Sequence, residues 1–102
     1  MTRPLTARAT DHPCQLHRYH RPRPLRTHGH HRRPVYLQNR VWGRIRDTEL
    51  LWVCGLCHDS IHEVIAWLLG EGREPSSRPG RAVLVEARTS VAWYLEAKAA
   101  AA

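Results

Sequence analysis

The sequence predicts a small α+β domain in which two strands and a helix surround bound metal ions. At 102 residues the chain is too short for a large apolar core, and small domains often gain stability from metal ions. Extended stretches lead into both groups of potential ligands. From His58 onward the apolar residues recur at helical spacing, with Ile61, Ile65, Leu68 and Leu69 on one side.

The order of these patterns divides the chain into four segments. Residues 1–13 are predicted to be a basic flexible arm, and residues 14–72 to be the ligand-bearing domain. Within that domain we expect a strand near 25–31, a basic loop or short helix, a strand near 49–53 and the helix. Residues 73–80 are a loop. Residues 81–102 form an extension, with a short strand at 83–85 and a helix over 89–101. Trp52, Trp67 and Trp93 are expected to build a modest core.

Basic charge is concentrated in the same part of the chain as the histidines. The net charge is +7, and residues 1–58 contain eleven arginines against three acidic residues. Residues 59–102 contain five basic and six acidic side chains, and Lys98 is the single lysine. Arginine binds phosphate well because its planar fork makes bidentate contacts. The balance favours a nucleic-acid partner over a generic solvated basic surface.

Cysteine usage and hydropathy indicate a cytoplasmic protein. Three cysteines cannot all pair within one chain, and Cys54-x-x-Cys57 has a zinc spacing. Residues 1–10 do not resemble a signal peptide. The longest apolar run, residues 64–69, is too short to span a membrane.

Cys54 and Cys57 predict a structural zinc site that needs two further ligands. Cys14-Gln-Leu-His17 offers a pair with the matching gap, although His20 or His12 could replace His17. Such a zinc-knuckle-type site would tie the proline-rich segment to the junction of strand and helix. The alternative is two buried reduced cysteines and a free Cys14.

Two pairs of histidines predict a second metal site. His58 and His62 are four residues apart, so on a helix they share a face and can bind one cation. His30 and His31 are adjacent on an extended stretch, so their side chains point to opposite faces and should have different roles. The alternative is that the helical histidines only face solvent or each other.

These residues resemble the HNH endonuclease motif. The run ELLWVCGLCHDSIH, residues 49–62, is similar to its second half, N-L-x-x-L-C-x-x-C-H-x-x-x-H, and His30-His31-Arg-Arg-Pro34 resembles its first half, H-H-x-x-P. The resemblance covers about residues 14–66. It implies a ββα-metal finger, in which a hairpin and a helix surround one divalent cation, and a small free-standing enzyme of phage or bacterial type.

The resemblance also implies roles for individual residues. His31 matches the general base, His30 a metal ligand, and His58 and His62 the ligands from the helix. The implied cofactors are a structural Zn²⁺ and one catalytic divalent cation, for which Mg²⁺, Mn²⁺, Ni²⁺ and Zn²⁺ are the candidates. A neutral imidazole can activate water near pH 7, and a divalent cation can stabilise the leaving oxygen.

Glu49 departs from the motif, because it stands where the family has an asparagine that orients the base and braces the loop. A carboxylate beside His31 would raise the pKa of that histidine and favour the protonated form, which is useless as a base. Glu49 is therefore a candidate catalytic residue or, alternatively, a further metal ligand. Asn39 is a polar candidate of the right type but lies ten residues out of register.

In a ββα-metal finger the connection between the strands runs beside the bound DNA backbone. We therefore expect phosphate contacts from five arginines, namely Arg32, Arg33, Arg40, Arg44 and Arg46. The favoured function is a metal-dependent DNA endonuclease of low sequence specificity, acting on duplex DNA as a homodimer or beside a phage DNA-processing partner. One alternative is a non-catalytic, zinc-stabilised DNA-binding module. Another is a structural zinc protein that docks through its alanine-rich helix.

Overall fold

A computed structural model describes residues 7–10, 14–16 and 27–102 of the chain. Within these residues, three strands form one antiparallel sheet in chain order, and three helices pack with it. This arrangement confirms the predicted α+β class. The elements are β1 (Ala7–Thr10), β2 (Thr27–His31), α1 (Val35–Trp42), β3 (Leu50–Cys54), α2 (Gly55–Leu68) and α3 (Arg81–Ala101).

The register of β2 against β3 brings the two candidate metal sites to the same region of the fold. Thr27 pairs with Cys54, and His31 pairs with Leu50 at the other end of the ladder. Helix α2 begins directly after β3. The first turns of α2, which carry the helical ligands, therefore start beside β2.

The basic connection between β2 and β3 contains a helix, α1, whose ends follow from local chemistry. The carbonyl of Pro34 accepts hydrogen bonds from the backbone N–H groups of Leu37 (3.0 Å) and Gln38 (2.9 Å). Gly43 ends the helix in the left-handed region at φ 71° and donates to the carbonyl of Asn39 at 2.9 Å. Glycine adopts this conformation without a steric penalty.

The core lies among β3, α1, α2 and α3. Its largest fully buried apolar residues are Leu37, Val53, Ile61, Val64 and Ile65. The prediction for Trp67 is wrong, because its side chain is 37% exposed. It lies two residues beyond Ile65, which on a helix turns it away from the buried face. Trp52 and Trp93 are only partly buried.

Two predicted segments are corrected. Residues 83–85 belong to α3 and not to a strand, because Val83, Ala87 and Val91 are buried at helical spacing, and this packing overrides the β propensity of valine. Within the predicted flexible arm, Ala7–Thr10 forms β1, paired with the free edge of β2. Backbone pairing at a strand edge needs no apolar periodicity, so composition did not reveal it.

Candidate metal centres

Three imidazoles, one from β2 and two from α2, meet in what we call the histidine cluster: His30, His58 and His62. One ring nitrogen of each residue lies within 4.8 Å of those of the other two. Nε2 of His58 is 3.1 Å from Nε2 of His62. The four-residue spacing on α2 and the position of His30 in β2 therefore bring together three ligands for a single cation.

Burial keeps the histidine cluster uncharged. The side chain of His30 is 1% exposed, and this burial, with further contributions from His62 and His58, lowers the pKa of His30 to about 3. Burial likewise lowers the pKa values of His58 and His62. Neutral imidazole is the form that coordinates metal ions, so the cluster does not have to lose protons at pH 7 before it binds one.

One nitrogen of the cluster needs a partner that the described residues do not supply. Nε2 of His30 is fully buried and makes no hydrogen bond within the described part of the chain. Such a group usually costs stability unless an ion or a polar group satisfies it. Two imidazole nitrogens on one tetrahedral zinc ion stand roughly 3.3 Å apart, close to the observed His58–His62 distance. The donor set therefore fits a metal ion.

The histidine cluster opens into a pocket of about 290 Å³, which we call the histidine pocket. Its walls come from β2, the first turns of α1 and α2. Besides the cluster, it is lined by Gly29, His31, Pro34, Val35, Tyr36 and Asn39. A metal site beside an accessible cavity leaves room for a substrate or water, as catalytic sites require.

His31 lines the histidine pocket but does not belong to the cluster. Its pKa is lowered, chiefly by burial, and the carboxylate of Asp47 opposes this shift. Asp47 is itself fixed by a 3.1 Å ion pair with Arg33 and by a hydrogen bond from the backbone N–H of Glu49. The acidic residue that acts on His31 is thus Asp47, which the sequence did not single out.

Glu49 does not act on His31, and its predicted position is corrected. Because His31 pairs with Leu50, the next ladder position places Glu49 opposite Arg32, whose backbone N–H donates to the Glu49 carbonyl at 3.1 Å. Cross-strand neighbours share a face of the sheet. The Glu49 carboxylate accordingly pairs with Arg32 at 3.3 Å, with 63% of its side chain exposed.

Gln38 braces the connection beside the pocket, and no sequence pattern indicates this role. Its side chain is fully buried. The Nε2 group donates to the carbonyls of Arg33 (2.6 Å) and Asp47 (2.8 Å). Its Oε1 accepts from the backbone N–H groups of Arg46 (2.8 Å) and Asp47 (2.9 Å). One carboxamide therefore joins both ends of the connection and positions Asp47.

A second group of ligands, which we call the cysteine cluster, consists of Cys14, Cys54 and Cys57. Their sulfur atoms lie within 4.8 Å of one another, so the cluster can hold a metal ion. Cys54 caps the N-terminus of α2, where its Sγ accepts from the backbone N–H of Cys57 at 3.5 Å. The backbone N–H of Cys54 in turn donates to Sγ of Cys14 at 3.3 Å.

The local environment has opposite effects on two of these thiols. Burial opposes ionisation of Cys14, but hydrogen bonds from the backbone of Cys54 and Leu16 and from the other cysteines lower its pKa overall. Burial is the main cause that raises the pKa of Cys57. Cys14 thus ionises more readily to the thiolate that binds metals, whereas Cys57 would become a thiolate only when a metal ion binds.

Cys14 reaches the cluster because its neighbour Gln15 pairs with β3. The Gln15 backbone N–H donates to the carbonyl of Trp52 at 2.8 Å, and the Gln15 side chain accepts from the Trp52 N–H at 2.7 Å. The predicted further ligand, His17, and its alternatives, His12 and His20, lie outside the described residues. The structure thus brings together three of the four predicted zinc ligands.

The five predicted phosphate contacts have different surroundings. Arg32 pairs with Glu49 and Glu86, Arg33 with Asp47, and Arg40 with Glu71. Arg46 stacks its guanidinium 4.6 Å from the ring centroid of Trp42. Within the described part of the chain, Arg44 and Arg46 form no ion pair and are exposed. Of the five, these two arginines are therefore the ones whose charge is not offset by a described acidic side chain.

Comparison of the chain with protein-family models, curated proteins and solved structures finds no match. Across the described residues, no helix has the length and apolar character needed to cross a membrane. The chemistry of the two clusters and their surroundings is therefore the basis for inferring the function.

Proposed function

We propose that the chain is a metal-dependent DNA endonuclease of the HNH type, which hydrolyses phosphodiester bonds with His31 as the general base. The observation that carries this proposal is the histidine cluster. A buried His30 nitrogen with no hydrogen-bond partner among the described residues points to a cation, and His31 lines the pocket into which the cluster opens. The arrangement supports the roles that the sequence resemblance implies for His30, His31, His58 and His62.

His30, His58 and His62 would hold the catalytic cation. Three imidazoles suit Ni²⁺ or Zn²⁺ better than Mg²⁺ or Mn²⁺, which prefer oxygen ligands. When bound, the cation would polarise the phosphodiester and offset the negative charge that develops on the leaving oxygen. Asn39, whose side chain borders the same pocket, is available to donate a hydrogen bond to the phosphate.

His31 would remove the proton from the attacking water. Its lowered pKa favours the neutral imidazole, which can accept that proton at pH 7. The nearby Asp47 carboxylate would stabilise the imidazolium that then forms. Gln38 provides the carboxamide that braces the connection, a role that the resemblance assigns to an asparagine at the position of Glu49.

The cysteine cluster would hold a structural zinc ion, with His17, His20 or His12 completing the site. Its sulfur atoms lie at the start of α2, immediately before the helical histidines. The ion would fix the first turn of α2 and hence the positions of His58 and His62. Arg44 and Arg46 would contact the DNA backbone, which predicts strong salt dependence and weak sequence preference.

The experiment is cleavage of supercoiled plasmid by purified protein with Mg²⁺, Mn²⁺, Ni²⁺ or Zn²⁺. Nicking or linearisation by the wild type, lost in His31→Gln, is the expected result. This variant keeps a polar side chain but has no titratable nitrogen, and circular dichroism and zinc content show whether it folds. Glu49→Gln should still cut, because the Glu49 carboxylate is exposed and paired with Arg32.

The second candidate is a non-catalytic DNA-binding module, favoured by the absence of the motif's asparagine at Glu49. In that case, folded, zinc-loaded protein would bind duplex DNA and no metal would support cleavage. His31→Gln would then leave DNA affinity unchanged, since a base that is never used contributes nothing to binding.

A further inference from the structure

Helix α3 carries a buried carboxylate for which the proposed reaction has no direct use. Glu86 is 4% exposed and lies between the core residues Val83 and Ala87. A buried carboxylate requires a charged or hydrogen-bonding partner. That partner is Arg32, whose Nε donates to Oε1 at 3.2 Å and whose Nη2 donates to Oε2 at 3.1 Å.

A second side chain of α3 holds the backbone at the same place. Ser90 lies one helical turn after Glu86 and is 1% exposed. Its hydroxyl donates to the carbonyl of Arg32 at 2.7 Å. Arg32, which directly follows His31, is therefore held by α3 through both its side chain and its main chain.

A third contact from α3 holds the next residue. The guanidinium of Arg33 lies 5.4 Å from the ring centroid of Trp93. Glu86, Ser90 and Trp93 thus hold the two residues that directly follow the histidine pair of β2. The Glu86 carboxylate already occupies Nε and Nη2 of Arg32, and so Arg32 is not oriented as a free phosphate contact.

We propose that α3 is a positioning element of the active site, in which Glu86 and Ser90 set the geometry of His31 by holding Arg32. This inference rests on the proposed nuclease function, and it assigns a role to a helix that lies outside the segment resembling the HNH motif. A base misplaced by about 1 Å can lose roughly a hundredfold in rate even when binding is intact. Neither Glu86 nor Ser90 lines the histidine pocket, so both act through Arg32.

The first test compares Ser90→Ala with the matched control Thr89→Ala. Thr89 is exposed, and its hydroxyl bonds only within the helix, to the Val85 carbonyl at 2.8 Å. Ser90→Ala should lower kcat by about tenfold to a hundredfold with KM, DNA affinity and metal affinity unchanged, and Thr89→Ala should resemble the wild type. Ser90→Thr restores a hydroxyl and should recover most of kcat. A wild-type kcat for Ser90→Ala, or a loss confined to KM, overturns the proposal.

Glu86→Gln separates positioning by Arg32 from a phosphate-binding role for Arg32. If Glu86 merely masks a DNA contact, removing its charge frees the guanidinium, and DNA affinity rises. Under the positioning role, kcat falls and DNA affinity stays constant. Glu96→Gln, an exposed change on the same helix, is the control for the altered net charge.

Amide hydrogen exchange tests the inference even if the protein does not cut DNA. The Arg32 N–H is bonded to the Glu49 carbonyl, so its exchange rate reports how firmly the end of β2 is held. Ser90→Ala should speed exchange at His31 and Arg32 relative to Thr89→Ala, with global stability measured alongside. Absence of cleavage by the wild type would end the nuclease proposal, and unchanged exchange in Ser90→Ala would end the positioning proposal.

Discussion

The histidine cluster and the cysteine cluster have the same neighbouring strands and helix, but the hydrogen-bond partners of their ligand atoms differ. In the cysteine cluster, backbone N–H groups point at the sulfurs of Cys14 and Cys54. In the histidine cluster, the buried Nε2 of His30 has no partner among the described residues, and a pocket opens beside it. The first arrangement is typical of a closed structural site, and the second of a site with an open position.

The difference follows from where each cluster lies on α2. The N-terminus of a helix presents N–H groups that have no partner within the helix and can donate to sulfur atoms. Cys54 occupies this end, and its Sγ accepts from the backbone N–H of Cys57. His58 and His62 lie further along, where the backbone N–H groups are used within the helix, and neutral ligands suit that position. We therefore expect mutations in the cysteine cluster to lower stability and mutations in the histidine cluster to lower activity.

The largest effect should come from the cysteine cluster. Cys57→Ser should lower the free energy of unfolding by more than about 4 kcal/mol, because zinc binding supplies folding energy in small metal-stabilised domains. Thermal denaturation and metal content measure this change. His58→Ala is the paired control and should keep most of the stability. A Cys57→Ser protein that melts at the wild-type temperature would show that this cluster holds no structural ion.

At the histidine cluster, the loss should appear in activity. His62→Ala should reduce DNA cleavage by about a thousandfold, since a catalytic cation contributes several kcal/mol to the transition state. Its unfolding curve should stay close to that of the wild type. Plasmid nicking measures the activity, and Co²⁺ absorption spectra measure metal binding. Equal losses of stability in His62→Ala and Cys57→Ser would contradict the division between the clusters.

A drop in pH should destabilise the folded protein through His30, a residue of the histidine cluster. Its pKa is about 3 in the folded protein, against an ordinary value of 6.5. Between these pH values the unfolded chain binds a proton that the folded chain does not, so stability falls as the pH drops below 6.5. His30→Leu removes this group. Urea unfolding measures the loss in the free energy of unfolding between pH 7.5 and pH 5.5. This loss should be smaller in the variant, and an identical loss would mean that His30 is not buried as a neutral ring.

The smallest effect concerns the basic connection beside the histidine pocket. Arg44→Gln should weaken duplex binding and reduce the slope of log affinity against log salt by about 1. Arg40→Gln should change the slope less, because Arg40 already makes a bidentate ion pair with Glu71 at 2.8 and 2.9 Å. Fluorescence anisotropy over a salt series measures both, and the reverse order would assign the phosphate contact to Arg40.

The sequence predicts the ligand groups well because their spacing is local. Once a helix forms, four residues of separation bring His58 and His62 together. The two-residue gap does the same for Cys54 and Cys57. The strand before each group also follows from local patterns. The closeness of Cys14 to Cys54 was anticipated through the matching Cys-x-x-His gap, and pairing of Gln15 with β3 gives it a physical basis.

The features that the sequence missed depend on contacts between distant residues. Glu49 was placed beside His31 by motif alignment, but strand register places it opposite Arg32. The burial of Gln38 and Glu86 cannot be inferred from local composition, since both occur in segments that look polar and exposed. Charged residues such as Arg32 are counted as surface groups until their buried partners are known.

The adjacency of Cys57 and His58 has a consequence for how the protein matures inside a cell. If the cysteine cluster holds a structural ion, that ion fixes the first turn of α2 and hence the positions of the imidazoles that would bind a second ion. Metal loading would then proceed in sequence, with the activity appearing last. Under the proposed nuclease function, the protein would stay inactive until both ions are bound, and metal starvation would silence it.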